Sequence, residues 1–122
     1  MITQYIQAFQ RKDLAAIARL FSEDMSFQDP SFGLIKGREN VLKAYKEIFK
    51  NDIVSADIFR QGRVGNTHMF EFSLVLKDTQ GKKIVVQGID LIETSPTHIT
   101  YIRAYLDTSE FVQRQSSANT HA

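Results

Sequence analysis

Asp90 lies inside the apolar run Ile84-Val85-Val86-Gln87-Gly88-Ile89-Asp90-Leu91-Ile92. A run so rich in β-branched residues reads as an interior strand, where an ionised carboxylate needs a partner or takes up a proton. A neutral acid in an apolar wall is a hydrogen-bond donor. Two more residues give that donor a use: Tyr5, in an apolar stripe at the N-terminus, and Asp29, which ends the segment Met25-Ser26-Phe27-Gln28-Asp29 before Pro30. A carboxylate opposite a phenol and a neutral acid is a base facing an oxyanion hole. Tyr5 precedes Asp29 by 24 residues and Asp90 follows it by 61, so three separate elements must bring the groups together.

Those elements can be read from periodicity. Ile2, Tyr5, Ile6 and Phe9 fall at helical spacing and predict a short first helix. Asp13 is placed to cap a second, whose buried face is supplied by Ile17, Leu20 and Phe21. Met25 to Asp29 alternates as a short strand that Pro30 stops, because proline offers no amide to a ladder. The segment Ser31 to Gly37 reads as a loop, and Val41, Leu42, Tyr45, Ile48 and Phe49 form the apolar face of a third helix from about Arg38 to Lys50. Beyond it the period changes to two. Ile53 to Val64, His68 to Lys77, Lys83 to Glu93 and His98 to Asp107 read as four strands of an antiparallel meander, with turns at Gly65-Asn66, Thr79-Gln80-Gly81 and Ser95-Pro96. Helices first and strands afterwards indicate an α+β domain.

Parity separates the strand faces. Phe70, Phe72, Leu74 and Leu76 share the face that should meet the helices, opposite Glu71, Ser73, Val75 and Lys77. In the last strand Ile102, Ala104 and Leu106 share one face, and Tyr101, Arg103 and Tyr105 the other. Tyrosine and arginine side by side on a sheet are typical of protein interfaces. With Gln87, Ile89 and Leu91 from the neighbouring strand they predict a homodimer through this outer face.

Composition narrows the function classes. The chain has 122 residues, 43% hydrophobic and 24% charged, the profile of a globular domain, read here as residues 1–112 with an unstructured polar tail at 113–122. Fifteen basic against 14 acidic residues leave a net charge of +1, which gives no electrostatic case for nucleic acid. The absence of cysteine removes disulfides and thiolate chemistry. His68, His98 and His121 show no metal-ligand spacing, and Ser22 and Ser26 lack the context of a nucleophile. No apolar run approaches the roughly 18 residues of a membrane span, and the N-terminus lacks a basic, then apolar, leader pattern. A cytoplasmic protein without a metal or cofactor is the expectation.

The order of helices and strands resembles the cone-shaped nuclear-transport-factor-2-like fold, in which a strongly curved, mainly antiparallel sheet wraps three N-terminal helices around a pocket. Tyr5-Ile6-Gln7-Ala8-Phe9, Lys12-Asp13-Leu14-Ala15-Ala16-Ile17, Leu20-Phe21-Ser22-Glu23-Asp24, Asp29-Pro30 and Gly37-Arg38 resemble the SnoaL-like and ketosteroid-isomerase branch of that superfamily. The resemblance implies an oxyanion-hole tyrosine at Tyr5, a proton-shuttling aspartate at Asp29, a neutral aspartic acid at Asp90 and a supporting tyrosine at Tyr45. It implies a pocket for a flat, hydrophobic, carbonyl-containing ligand lined by Phe27, Phe72, Leu74, Val86, Ala104 and Leu106. The reaction implied is proton transfer α to a carbonyl, through an enolate or dienolate. The chain departs from the isomerase pattern at Gly88, where proline is expected, and at Leu106, where an aromatic residue is expected.

Other readings stand beside this one. Tyr5 fits an ordinary core tyrosine, Asp29 a turn cap, and Asp90 a structural ion pair. Epoxide hydrolysis in the manner of limonene-epoxide hydrolases would require Asp90, Arg103 and Asp107 to converge, although parity puts Arg103 on the face away from Asp90. An aldol-type cyclase would use the same base as the isomerase. A pocket that binds a hydrophobic molecule without chemistry, or a dimeric interaction module, belongs to a different class.

Overall fold

Residues 1–107 are described by a computed structural model; the tail expected at 113–122 lies outside them. Helices α1 (Ile2–Gln10) and α2 (Leu14–Leu20) lead into strands β1 (Phe21–Asp29) and β2 (Gly33–Lys36). Helix α3 (Arg38–Ile48) follows, and then β3 (Asp52–Val64), β4 (Thr67–Lys77), β5 (Lys83–Thr94) and β6 (Ile99–Leu106). Each helix forms for a local reason. Tyr5 and Ala8 give α1 its buried stripe, and the Asp13 carboxylate accepts the Ala16 amide to cap α2. Val41, Ala44 and Tyr45 are the buried positions of α3.

The six strands make one sheet in the order β2-β1-β6-β5-β4-β3. All neighbours are antiparallel except β1 and β6, which run parallel. The β3 to β6 meander has the predicted turns: Val64 pairs with Thr67 across Gly65-Asn66, where Gly65 takes a positive φ of 58° that glycine adopts without strain. Two irregularities in β3, at Ile53/Ser55 and Ile58/Arg60, leave Val54 and Phe59 as extra, exposed residues. Such bulges bend and twist an edge strand and protect it from further pairing.

Two sequence expectations require correction. Phe21 is not on α2; it opens β1, where it is fully buried and pairs with Ile99. The supposed loop at 31–37 contains β2, paired to β1 from Asp29↔Gly33 to Ser26↔Lys36. Gly33 has φ +72° and the Asp29 carboxylate accepts the Phe32 amide, so the chain reverses within the few residues after Pro30 and returns as a strand.

The core joins α1, α2 and α3 to the inner face of the sheet through Tyr5, Ile17, Phe21, Met25, Val41, Tyr45, Phe70, Ile92 and Ile102. The strand parities hold. Phe70, Leu74 and Leu76 are buried, whereas Tyr105 and Ile89 are exposed on the outer face. There the Arg103 guanidinium lies 4.6 Å over the Tyr105 ring and the Tyr101 hydroxyl donates to Gln28 Oε1. Among the described residues no helix is long and apolar enough to cross a membrane.

Candidate active site

Between the helices and the inner sheet face lies a cavity of about 210 Å³, and Tyr5, Asp29, Tyr45 and Asp90 all line it. So do Phe27, Phe72, Leu74, Val86, Ala104 and Leu106. The fold therefore gathers every residue that the sequence nominated for the pocket. It does not gather the hydrolase set: Arg103 is stacked on the outer face, and neither it nor Asp107 lines the cavity.

Asp90 stands on β5 directly between Phe70 of β4 and Ala104 of β6, with fully buried Ile92 next on the same face. No arginine or lysine ion pair reaches it among the described residues. Burial, and then the charge of Asp29, push its carboxyl up to about 7. An acid so placed is substantially protonated near neutrality and can donate.

Tyr5 and Tyr45 project from α1 and α3, and their hydroxyl oxygens are 2.6 Å apart. Either can donate. Donation by Tyr45 leaves the Tyr5 proton free for a ligand. Burial raises the pKa of Tyr5, helped by the charge of Asp90 and partly offset by the bond to Tyr45. Tyr45 is also raised, first by burial, so both phenols hold their protons. The Tyr45 ring is fixed by edge contacts with Phe9, Phe21, Phe27 and Phe49, at centroid distances of 6.2, 5.5, 5.4 and 6.1 Å. Rings packed edge to face hold a defined orientation, so the Tyr5 oxygen is positioned from behind.

Asp29 differs from Asp90 in its surroundings. It is half-buried at the end of β1, and its Oδ1 accepts the Phe32 amide at 2.6 Å. Burial raises its pKa while the amides of Phe32 and Ser31 pull it down. The carboxylate form is the one those amides favour. Of the three acids on the cavity, Asp29, Asp57 and Asp90, Asp90 is deep and donor-like, whereas Asp29, also raised overall, stands at a strand end where two amides oppose the rise and favour its carboxylate.

Sequence reasoning did not nominate several wall residues. Ile6 and Phe9 share the helical stripe of Tyr5, and Ala56 and Ile58 face Leu74 and Phe72 across the β3–β4 ladder, so periodicity and pairing could have found them. Ser31 and Phe32 carried no such signal, because their place depends on the unpredicted β2 hairpin. Among the described residues no cluster of three histidines or acids could hold a metal ion.

A family model described as a SnoaL-like domain matches residues 2–102. The chain belongs to the SnoaL-like family. No curated protein sequence matches this SnoaL-like protein, but solved structures do. An LEH-like epoxide hydrolase of M. tuberculosis is similar, with a TM-score of 0.79 and 17% identity over 92% of this chain and 84% of that one. The epoxide hydrolase/cyclase-like enzyme SalBIII, described in pyran ring formation in salinomycin, has a TM-score of 0.78 and 15% identity over 88% of each chain. A protein of Catenulispora acidiphila with a ketosteroid isomerase-like fold, in complex with trimethylamine, has a TM-score of 0.74 and 19% identity over 85% of this chain and 82% of that one. At these identities the likeness is one of fold, the nuclear-transport-factor-2-like cone with its mainly antiparallel sheet.

Proposed function

We propose that this SnoaL-like protein is an enzyme that transfers a proton at carbon α to a carbonyl, through an enolate or dienolate. The observation that carries the reading is the pairing in one apolar cavity of a donor-like acid, Asp90, with a phenol backed by a second phenol, while a separate carboxylate, Asp29, is held by turn amides.

The steps follow from those groups. The substrate carbonyl oxygen accepts hydrogen bonds from the Tyr5 hydroxyl and from protonated Asp90. Asp29 removes the α proton, and the electron pair of the broken C–H bond forms a double bond from the α carbon to the carbonyl carbon as the carbonyl π pair moves onto oxygen, giving a conjugated dienolate. Donors fixed in a water-poor cavity stabilise that charge more than mobile water does. Asp29 then returns the proton to the γ carbon, which moves the double bond into conjugation. The neutral hydrogen-bonded state of Tyr5 and Asp90 is the useful one, since an ionised Asp90 would repel the enolate.

A β,γ-unsaturated ketone is the direct assay. Asp29→Asn should lower turnover by about 10²–10⁴-fold, the usual range for losing a general base, with an unchanged circular dichroism spectrum. A wild-type protein inert towards a ketone panel, or an Asp29→Asn variant as active as wild type, would reject the reading. Epoxide hydrolysis is less well supported: two fold neighbours are described by that chemistry, but the cavity of this chain has no arginine in its wall.

A further inference from the structure

We infer that the substrate of this site is a compact, uncharged ketone of one or two rings, smaller than a four-ring steroid. The inference rests on the proton-transfer reading above and adds a size and a charge to it.

Size comes from the cavity. Its volume of about 210 Å³ lies between the ~150 Å³ apolar cavity that holds a benzene ring and the roughly 300–1,000 Å³ of sites for drug-sized ligands. One wall is set by a backbone contact. Gly88 of β5 pairs with Leu106 of β6, and a Cβ at position 88 would strike the Tyr105 carbonyl oxygen. The two strands therefore approach more closely than a side chain would allow, and Leu106, at the end of β6, forms part of the cavity wall.

Charge comes from what the wall contains. Asp29, Asp57 and Asp90 line the cavity, and neither lysine, arginine nor histidine does. A carboxylate or phosphate on the ligand would lose its hydration, gain no counter-charge and lie near Asp29, each of which weakens binding. The remaining wall is mainly aromatic and aliphatic, with Phe9, Phe27, Phe70 and Phe72 among its rings, which favours a flat apolar body.

Fluorescence titration of the wild-type protein with four probes tests this. The probes are 2-naphthol, naphthalene, 6-hydroxy-2-naphthoate and a four-ring steroidal phenol. We expect 2-naphthol to bind at least tenfold more tightly than the naphthoate and the steroidal phenol, and Leu106→Ala to narrow the gap to the steroid several-fold. A steroidal phenol that binds wild type as well as 2-naphthol does would overturn the size inference, and an equally tight naphthoate would overturn the charge inference. Either result leaves the proton-transfer reading intact. Naphthalene separates the two: if it binds as tightly as 2-naphthol there is no oxyanion hole, and the parent reading fails while the size ranking can still hold. Should Leu106→Ala fail to fold, the wild-type ranking alone decides.

Discussion

At the scale of single residues the protein turns on Asp90. Its carboxyl is raised to about 7 by burial and by Asp29, so between the ordinary carboxylate range and that value the folded state holds a proton that the unfolded chain has released. Stability must then fall as pH rises through this window, by at most roughly 1.4 kcal/mol per pH unit. Urea titrations from pH 4 to pH 8 should show this decline in wild type and a flatter profile in Asp90→Asn; parallel profiles would mean that Asp90 does not titrate there. The same group sets the falling limb of turnover. Activity should rise as Asp29 ionises and decline near pH 7 as Asp90 loses its proton, and in Asp90→Asn the decline should vanish while overall turnover drops. The residues of this site were legible because a carboxyl inside a β-branched run is costly without a use. Phe32 was not, since an exposed aromatic residue in a turn leaves no periodic trace.

Among the elements, the period-two strands were the most legible. Alternation in β4 to β6 identified which side chains face the helices, because a sheet with one buried face imposes that pattern on every strand. The misread pieces were short or at a junction. β2 has only four residues, too few for alternation to register, and Phe21 continues the α2 stripe by spacing although its backbone is already extended, with ψ 136°. Tertiary pairing with β6 decided its state. The β5–β6 contact yields a prediction at this scale. Gly88→Ala must displace backbone rather than a flexible side chain, so it should cost about 1–3 kcal/mol in urea unfolding and weaken 2-naphthol binding, because Ala104 and Leu106 move with β6. An unchanged midpoint would show that the strands separate freely.

For the molecule as a whole, the outer sheet face is where two copies are expected to meet. Tyr105 and Ile89 are opposite each other in the β5–β6 ladder, Met69 and Leu91 are opposite in β4–β5, and Tyr105, Ile89 and Met69 are exposed by 48%, 43% and 38%. The same face carries both Arg103 and Glu93, so a self-complementary contact need not oppose like charges. Sedimentation should give a dimer at micromolar concentration and a monomer for Ile89→Asp combined with Tyr105→Glu; a monomeric wild type would remove the dimer from the account. The parallel pairing of β1 with β6 has another consequence, in the order of assembly. Among the described residues β6 is the last strand, yet it is the sole bridge between the β2-β1 pair and the β5-β4-β3 meander. The strand that carries Asp29 therefore cannot join the strand that carries Asp90 until β6 has left the ribosome. Closing so long a loop is slow, and a chain truncated before Ile99 would retain every proposed catalytic residue and have no sheet to hold them together.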